Sequence, residues 1–164
     1  SAPSGVLVKM SLMIKKVPAR SILYTAFDIH ITEISIVAPG AIESLYQEIA
    51  AAGLEAAGPV EFIYNGFDGN PATDFELIIA VPIKKRKKKL TNDTLKQKRT
   101  KPYRCATIEH PGSLETIVHS HMALHAQMEE AGIKRSETTH EVYKHWIDYA
   151  SPENLTEIQV ALAS

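Results

Sequence analysis

The sequence has one cysteine, Cys105, in 164 residues, so it has neither an internal disulfide nor a paired-cysteine metal motif. It also has no apolar run of roughly 18 residues, the length that a helix needs to cross a bilayer. Residues 1–11 lack the apolar centre of a signal peptide. We therefore expect a cytoplasmic protein without a membrane partner, whose residues 1–11 form a flexible N-terminal segment.

Common catalytic motifs are missing as well. The sequence contains no G-x-S-x-G turn, no phosphate-binding P-loop, no G-x-G-x-x-G and no H-E-x-x-H. These absences argue against phosphate and dinucleotide chemistry, and we expect neither a cofactor nor a metal ion. Cys105 lies in an alternating apolar stretch, which favours a small core residue over a nucleophile.

Acidic residues are almost absent from one segment. Residues 84–101 contain ten Lys or Arg and one acidic residue, Asp93, which gives a local charge of +9. Because the net charge is −1, the remaining residues carry −10. A segment so rich in charge is costly to bury, so we predict a basic linker over 84–101 outside the core. We expect no nucleic-acid partner except through this segment.

The sequence does contain an internal repeat. Pro39-Gly40 precedes an amphipathic pattern that ends at Ala52-Gly53, and Pro111-Gly112 precedes a similar pattern that ends at Ala131-Gly132. If each Pro-Gly pair begins a helix, the second helix is longer by seven residues, about two turns. Each pattern ends in a glycine, Gly53 or Gly132, which is typical of a helix C-cap.

The repeat continues beyond these helices. Nine residues after the first terminal glycine lies Phe62-Ile63-Tyr64, and nine after the second lies Glu141-Val142-Tyr143. A turn-rich stretch and a closing strand follow each triplet. We therefore predict an α+β fold of two β-α-β-β units related by a pseudo-two-fold axis, with an antiparallel sheet. Repeat one covers 12–83, repeat two covers 102–163, and together they form one domain over 12–163.

This arrangement resembles the GyrI-like domain. The resemblance rests on the paired Pro-Gly-helix-Ala-Gly units, Glu141-x-Tyr143, the turn at Ser151-Pro152 and the final Thr156-Glu157-Ile158-Gln159. Such domains bind small effector molecules in AraC-type and MerR-type regulators, and they also occur in stand-alone proteins that include a gyrase inhibitor. The resemblance implies a ligand cleft between the two helices, floored by the sheet, with an acidic residue that meets cationic ligands in some members.

Glu141 is the acidic residue that the resemblance places in the cleft. Alternation along the strand puts Tyr143 and His145 on the same face as Glu141, and Trp146 on the opposite face. By the repeat, Phe62 and Tyr64 occupy equivalent positions in the other half. Carboxylate and aromatic faces together attract a cation, so we predict a ligand site. Its members are Glu141, Tyr143, Tyr64, Phe62, His121 and Trp146, although simple alternation places Trp146 on the other face.

Two histidines interrupt the apolar stripe of the second helix. His121 and His125 share a face with Leu124 and Met128 at helical spacing. They either line the cleft, pack in the core with hydrogen-bond partners, or form half of a metal site. His119 points elsewhere on the helix, so the helix supplies two metal ligands at most.

Three functions remain open from the sequence. The first is a stand-alone protein that senses or sequesters an amphipathic, cationic or aromatic compound. The second, which the resemblance implies because some stand-alone members hydrolyse cyclopropane-bearing toxins, is a hydrolase of such strained electrophiles, with Glu141 as general base and Tyr143 or His121 as proton carriers. The third is a modulator of a protein partner, resembling the gyrase inhibitor.

Overall fold

The computed structural model describes residues 11–85 and 89–164 and has an α+β fold. The first repeat contains β1 (Met13–Val17), β2 (Ser21–Ile29), α1 (Ile34–Ala51), β3 (Glu61–Asn65) and β4 (Phe75–Ile83). The second contains β5 (Lys96–Arg99), β6 (Tyr103–Pro111), α2 (Ile117–Glu130), β7 (Arg135–His145) and β8 (Leu155–Leu162). All eight strands form one antiparallel sheet in the order β1-β6-β8-β7-β3-β4-β2-β5. Because β3 and β7 are neighbours, the predicted pseudo-two-fold axis runs between them.

The strand registers confirm the predicted duplication. Phe62 of β3 pairs with Ile79 of β4, and Glu141 of β7 pairs with Ile158 of β8, so an offset of 79 residues relates both pairs. The same offset relates Tyr64 to Tyr143. It also relates Gly53 to Gly132, whose φ angles of 66° and 69° lie in the left-handed region that favours glycine at a helix end.

The predicted helix starts are wrong. Pro39 lies inside α1, whereas Pro111 is the last residue of β6. The structural equivalents are Ile34 and Ile117, which begin the two helices after one turn of 3-10 helix each. Consequently α1 is the longer helix, with 18 residues against 14 in α2. The β-branched residues at the start of α1 resemble a strand in composition, and burial of Ala38 and Ala41 against the sheet overrides that preference.

Both helices cover the same face of the sheet, one over each half. Leu45 of α1 packs with Leu77 and Ile79 of β4, and Leu124 of α2 packs with Ile158 of β8. All five side chains are fully buried. The two helices therefore flank the central strands β3 and β7 without covering them.

The prediction that residues 84–101 stay outside the core is wrong for the second part of the segment. Lys96–Arg99 forms strand β5, which pairs with β2 at the edge of the sheet. Leu95 is 5% exposed and belongs to the core under α1. Thr91 donates hydrogen bonds from its backbone N–H and its hydroxyl to Glu48, a buried residue of α1. Residues 86–88 lie outside the described residues.

The opposite face of the sheet carries a buried polar cluster. Glu61 of β3 is fully buried, accepts a hydrogen bond from Arg20 and lies 3.6 Å from Nδ1 of His140. The ring of Tyr103 stacks on His140 with 4.7 Å between centroids, and its hydroxyl donates to Oε1 of Gln159 at 2.6 Å.

Among the described residues, no helix is long and apolar enough to cross a membrane.

Candidate functional site

A cleft of about 1320 Å³ lies between α1 and α2, floored by β3 and β7. Most of its wall is apolar, because both helices turn their inner faces towards it. Ile34 and Ile42 come from α1, while Ile117 and Val118 come from α2. The cleft therefore lies on the pseudo-two-fold axis, and each repeat supplies one wall and one floor strand.

Glu141 is the buried charge of this cleft. It is 7% exposed, and its carboxylate takes three hydrogen bonds. Oε1 accepts from the hydroxyls of Tyr64, at 2.9 Å, and Tyr143, at 2.6 Å. Oε2 lies 2.7 Å from Nε2 of His121 on α2. The two tyrosines are the symmetry-related pair of the repeat, so both halves converge on one carboxylate oxygen.

These contacts fix the protonation states of the site. Burial by itself would raise the pKa of Glu141, but the hydrogen bonds from His121, Tyr143 and Tyr64 hold it below its ordinary value of 4.5. Burial and the adjacent carboxylate raise the pKa of both tyrosines well above 10.0. At neutral pH the floor of the cleft thus holds the ionised carboxylate of Glu141 between the neutral phenols of Tyr64 and Tyr143.

The lowered pKa of Glu141 predicts a specific dependence of stability on acid. A carboxyl whose pKa is lower in the folded state stabilises the fold above its unfolded pKa, and this stabilisation is lost as the pH falls through the folded value. The free energy of unfolding of the wild type should therefore approach that of Glu141→Gln as the pH falls from about 5 to about 3. Urea titrations of both proteins measure this difference. An unchanged difference over that range would show that Glu141 does not titrate with a lowered pKa.

The structure brings the other predicted residues to the same place. Phe62 packs edge-on against Tyr143 with 5.1 Å between ring centroids. Trp146 packs against the other side of Tyr143 at 5.6 Å, lines the cleft and is 47% exposed. His121 lines the cleft from α2 and bonds Glu141.

Simple alternation is wrong at the end of β7. It places His145 on the cleft face and Trp146 on the opposite face, yet Trp146 lines the cleft and His145 does not. The register with β8 shifts by one residue between Tyr143 and His145, which is the mark of a β-bulge. An extra residue in one strand reverses the alternation beyond it, so Trp146 turns to the side of Tyr143.

His125 lines the cleft mouth next to Arg135, the first residue of β7. Nη1 of Arg135 lies 3.0 Å from each ring nitrogen of His125, and Nη2 donates to Oγ1 of Thr139 at 3.2 Å. Burial and the guanidinium charge lower the pKa of His125. Within the described residues, no three His, Cys, Asp or Glu side chains form a set that could hold a metal ion.

Several cleft residues escape the sequence analysis. Tyr46 of α1 is 46% exposed and lines the cleft. Arg135 and Thr139 share the cleft face of β7 with Glu141, and the alternation that places Tyr143 also identifies them. Tyr24 and Tyr103 belong to the opposite face of the sheet.

Solved structures with a similar fold come from proteins of low sequence identity. The C-terminal domain of EcmrR matches with a TM-score of 0.75 and 17% identity, over 94% of this chain and 98% of that domain. SAV2435 bound to tetraphenylphosphonium matches with a TM-score of 0.62 and 13% identity, over 94% of each chain. A hydrolase encoded by lin2189 from Listeria innocua matches with a TM-score of 0.68 and 14% identity, over 99% of this chain and 96% of that one. At such identities these likenesses show the fold alone.

The sequence itself identifies the family. A search of curated protein sequences finds no significant match. Residues 10–163 match the GyrI-like small molecule binding domain, which leaves only the two ends of the chain outside the match. The chain therefore belongs to the GyrI-like small molecule binding domain family.

Proposed function

We propose that the protein binds an amphipathic organic cation in the cleft between its two helices, as a sensor or sequestering protein. The observation that carries this proposal is the ionised, buried Glu141 at the floor of an otherwise apolar cleft. The hydroxyls of Tyr64 and Tyr143 and Nε2 of His121 hold this carboxylate in place, and a ligand cation that approaches it gains a Coulomb interaction strengthened by the low local dielectric.

The aromatic side chains support a cation over a neutral ligand. Phe62, Tyr143 and Trp146 form a continuous row of rings, and Tyr64 stacks on Phe75 beside it. Ring faces carry partial negative charge and attract cations within about 6 Å. The cleft volume of about 1320 Å³ exceeds the roughly 300–1,000 Å³ typical of small-molecule sites, so the cleft accommodates a bulky, multi-ring compound.

The hydrolase alternative has less support from the geometry of Glu141. Oε1 already accepts two hydrogen bonds, which occupy both of its lone pairs, and Oε2 faces His121. Its lowered pKa also makes Glu141 a weak base, whereas an efficient general base has a pKa near the working pH. The raised pKa values of Tyr64 and Tyr143 make both phenols poor proton donors.

The proposal is tested with two probes of equal shape and opposite charge. Tetraphenylphosphonium and tetraphenylborate both present four phenyl rings, so their difference in affinity measures the charge preference of the cleft. We expect the cation to bind at least about tenfold more tightly, as measured by isothermal titration calorimetry on the wild type. Equal affinity, or a preference for the borate, would refute a cation site.

A further inference from the structure

Away from the cleft, the most prominent feature of the molecule is the concentration of basic residues in segment 84–101. β1–β2 and β5–β6 run side by side as one antiparallel ladder, in which Val17 pairs with Tyr103 and Ser21 with Arg99. The backbone N–H of Thr100 donates to the carbonyl of Arg20 at 2.8 Å between these paired sections. We refer to residues 13–24 and 96–107 as the ladder.

Basic side chains are concentrated on this ladder. Two of them are neutralised, Lys15 by Glu157 at 2.7 Å and Arg20 by Glu61. Lys98 lies 4.6 Å from the centre of the Tyr24 ring. The remaining five are exposed and, within the described ranges, form no ion pair with a carboxylate; they are Lys16, Lys96, Arg99, Lys101 and Arg104.

The placement of two of these charges works against the stability of the fold. Lys16 and Arg104 are directly opposite each other across the β1–β6 pairing. Like charges in that position repel, so this pair destabilises the sheet unless an external anion lies between them. Protection of an edge strand from aggregation requires a charge on β1 but does not require a second one facing it on β6.

The ladder holds these charges in fixed positions. Leu95 anchors the start of β5 in the core, and Thr91 is bonded to Glu48 of α1. Fixed cations of this kind suit a partner with a dense array of negative charge, and duplex DNA carries one negative charge per about 1.7 Å of helix axis.

We propose that the ladder binds the phosphate backbone of duplex nucleic acid without sequence preference. No free aromatic ring accompanies the charges, because Tyr24 lies against Lys98 and Tyr103 stacks on His140. Stacking on unpaired bases, the basis of single-strand binding, is therefore not available on this surface. The contact is electrostatic and lies on a different part of the molecule from the cleft.

The test measures binding of a fluorescent DNA duplex by anisotropy as a function of salt. Because strand alternation places Lys96 and Arg99 on opposite sides of β5, one duplex meets about three of the five charges. About three phosphate contacts give a slope of log K against log [salt] of about −2.7, which is a loss of about 40-fold in affinity between about 50 and about 200 mM salt. Two duplexes of unrelated sequence should bind equally. Absence of binding at about 50 mM salt would overturn the proposal, and so would equal binding of poly-glutamate, which would indicate an acidic protein partner.

Two double variants with the same change in net charge test whether the ladder is the surface that binds DNA. Lys16→Gln with Arg104→Gln removes two charges that lie directly opposite each other on one side of the ladder, so it should reduce the steepness of the salt dependence by about 2 and weaken binding at low salt. Lys134→Gln with Lys144→Gln makes the same change in net charge outside the ladder and should leave the slope unchanged. An equal loss in both variants would show that only net charge matters. Titration of tetraphenylphosphonium checks that the cleft of each variant is intact, so this test and that of the cleft fail independently.

Discussion

Glu141→Gln is expected to lower the affinity of the cleft for tetraphenylphosphonium by about ten- to a hundredfold, because it removes the buried charge at the floor of the cleft while it keeps the side-chain shape. An interaction with a charged group contributes about 1.5–3 kcal/mol, which corresponds to that range of affinity. The glutamine oxygen still accepts from Tyr64 and Tyr143, so the floor of the cleft should keep its geometry. Calorimetric titration of the wild type and the variant measures the difference.

Two controls separate the charge of Glu141 from other effects. Triphenylphosphine oxide, an uncharged probe of related shape, should bind the variant and the wild type alike. Glu137 lies on the same cleft-facing side of β7 but is exposed, so Glu137→Gln should change cation affinity by less than about threefold, as expected for a charge screened by solvent. If both variants lose affinity equally, the cleft attracts cations through its general field, and Glu141 is not a specific contact.

The same variant distinguishes the alternative functions. A hydrolase that uses Glu141 as general base would lose turnover of a cyclopropane-type substrate while it still binds that neutral molecule. A modulator that acts on a protein partner through its surface would keep its effect, because Glu141 is 7% exposed. Loss of cation affinity without any measurable turnover in the wild type supports the sensor or sequestering protein.

Leu95→Ala is expected to lower the free energy of unfolding by about 2–5 kcal/mol, the usual cost of removing a buried leucine side chain. Leu95 is 5% exposed and packs in the core formed by α1 and the first half of the sheet. It also fixes the start of β5, so its loss should loosen the edge strand that pairs with β2. Urea unfolding monitored by circular dichroism provides the measurement.

The control for this experiment is the neighbouring residue. Lys96→Ala removes an exposed side chain from the same strand and should change the free energy of unfolding by less than about 0.5 kcal/mol. If Leu95→Ala is as stable as Lys96→Ala, the segment before β5 does not contribute to the core. The basic surface would then lack the fixed position on which its proposed binding role depends.

The internal repeat predicts the duplicated fold, and the resemblance to the GyrI-like domain predicts the group of residues around Glu141. The repeat is visible because each half must bury the same face of one helix on its own strands, and that requirement preserves the glycine at the helix end and the residue nine positions later. Since the two halves pack about an axis through their central strands, Tyr64 and Tyr143 necessarily meet near it. The position of Glu141 between them follows from the same register.

The tertiary structure determines several features that the local sequence pattern does not predict. Pro39 lies within α1 because burial of that helix against the sheet outweighs the local signal of a Pro-Gly pair. Trp146 turns into the cleft because one extra residue in β7 reverses the alternation, and a bulge leaves no mark in the hydrophobic pattern. Leu95 packs in the core and β5 pairs with β2 although segment 84–101 contains ten basic residues, because an edge strand leaves its charged side chains in solvent. The buried contacts of Glu61 with Arg20 and His140 likewise depend on strands far apart in the sequence, which only the folded sheet brings together.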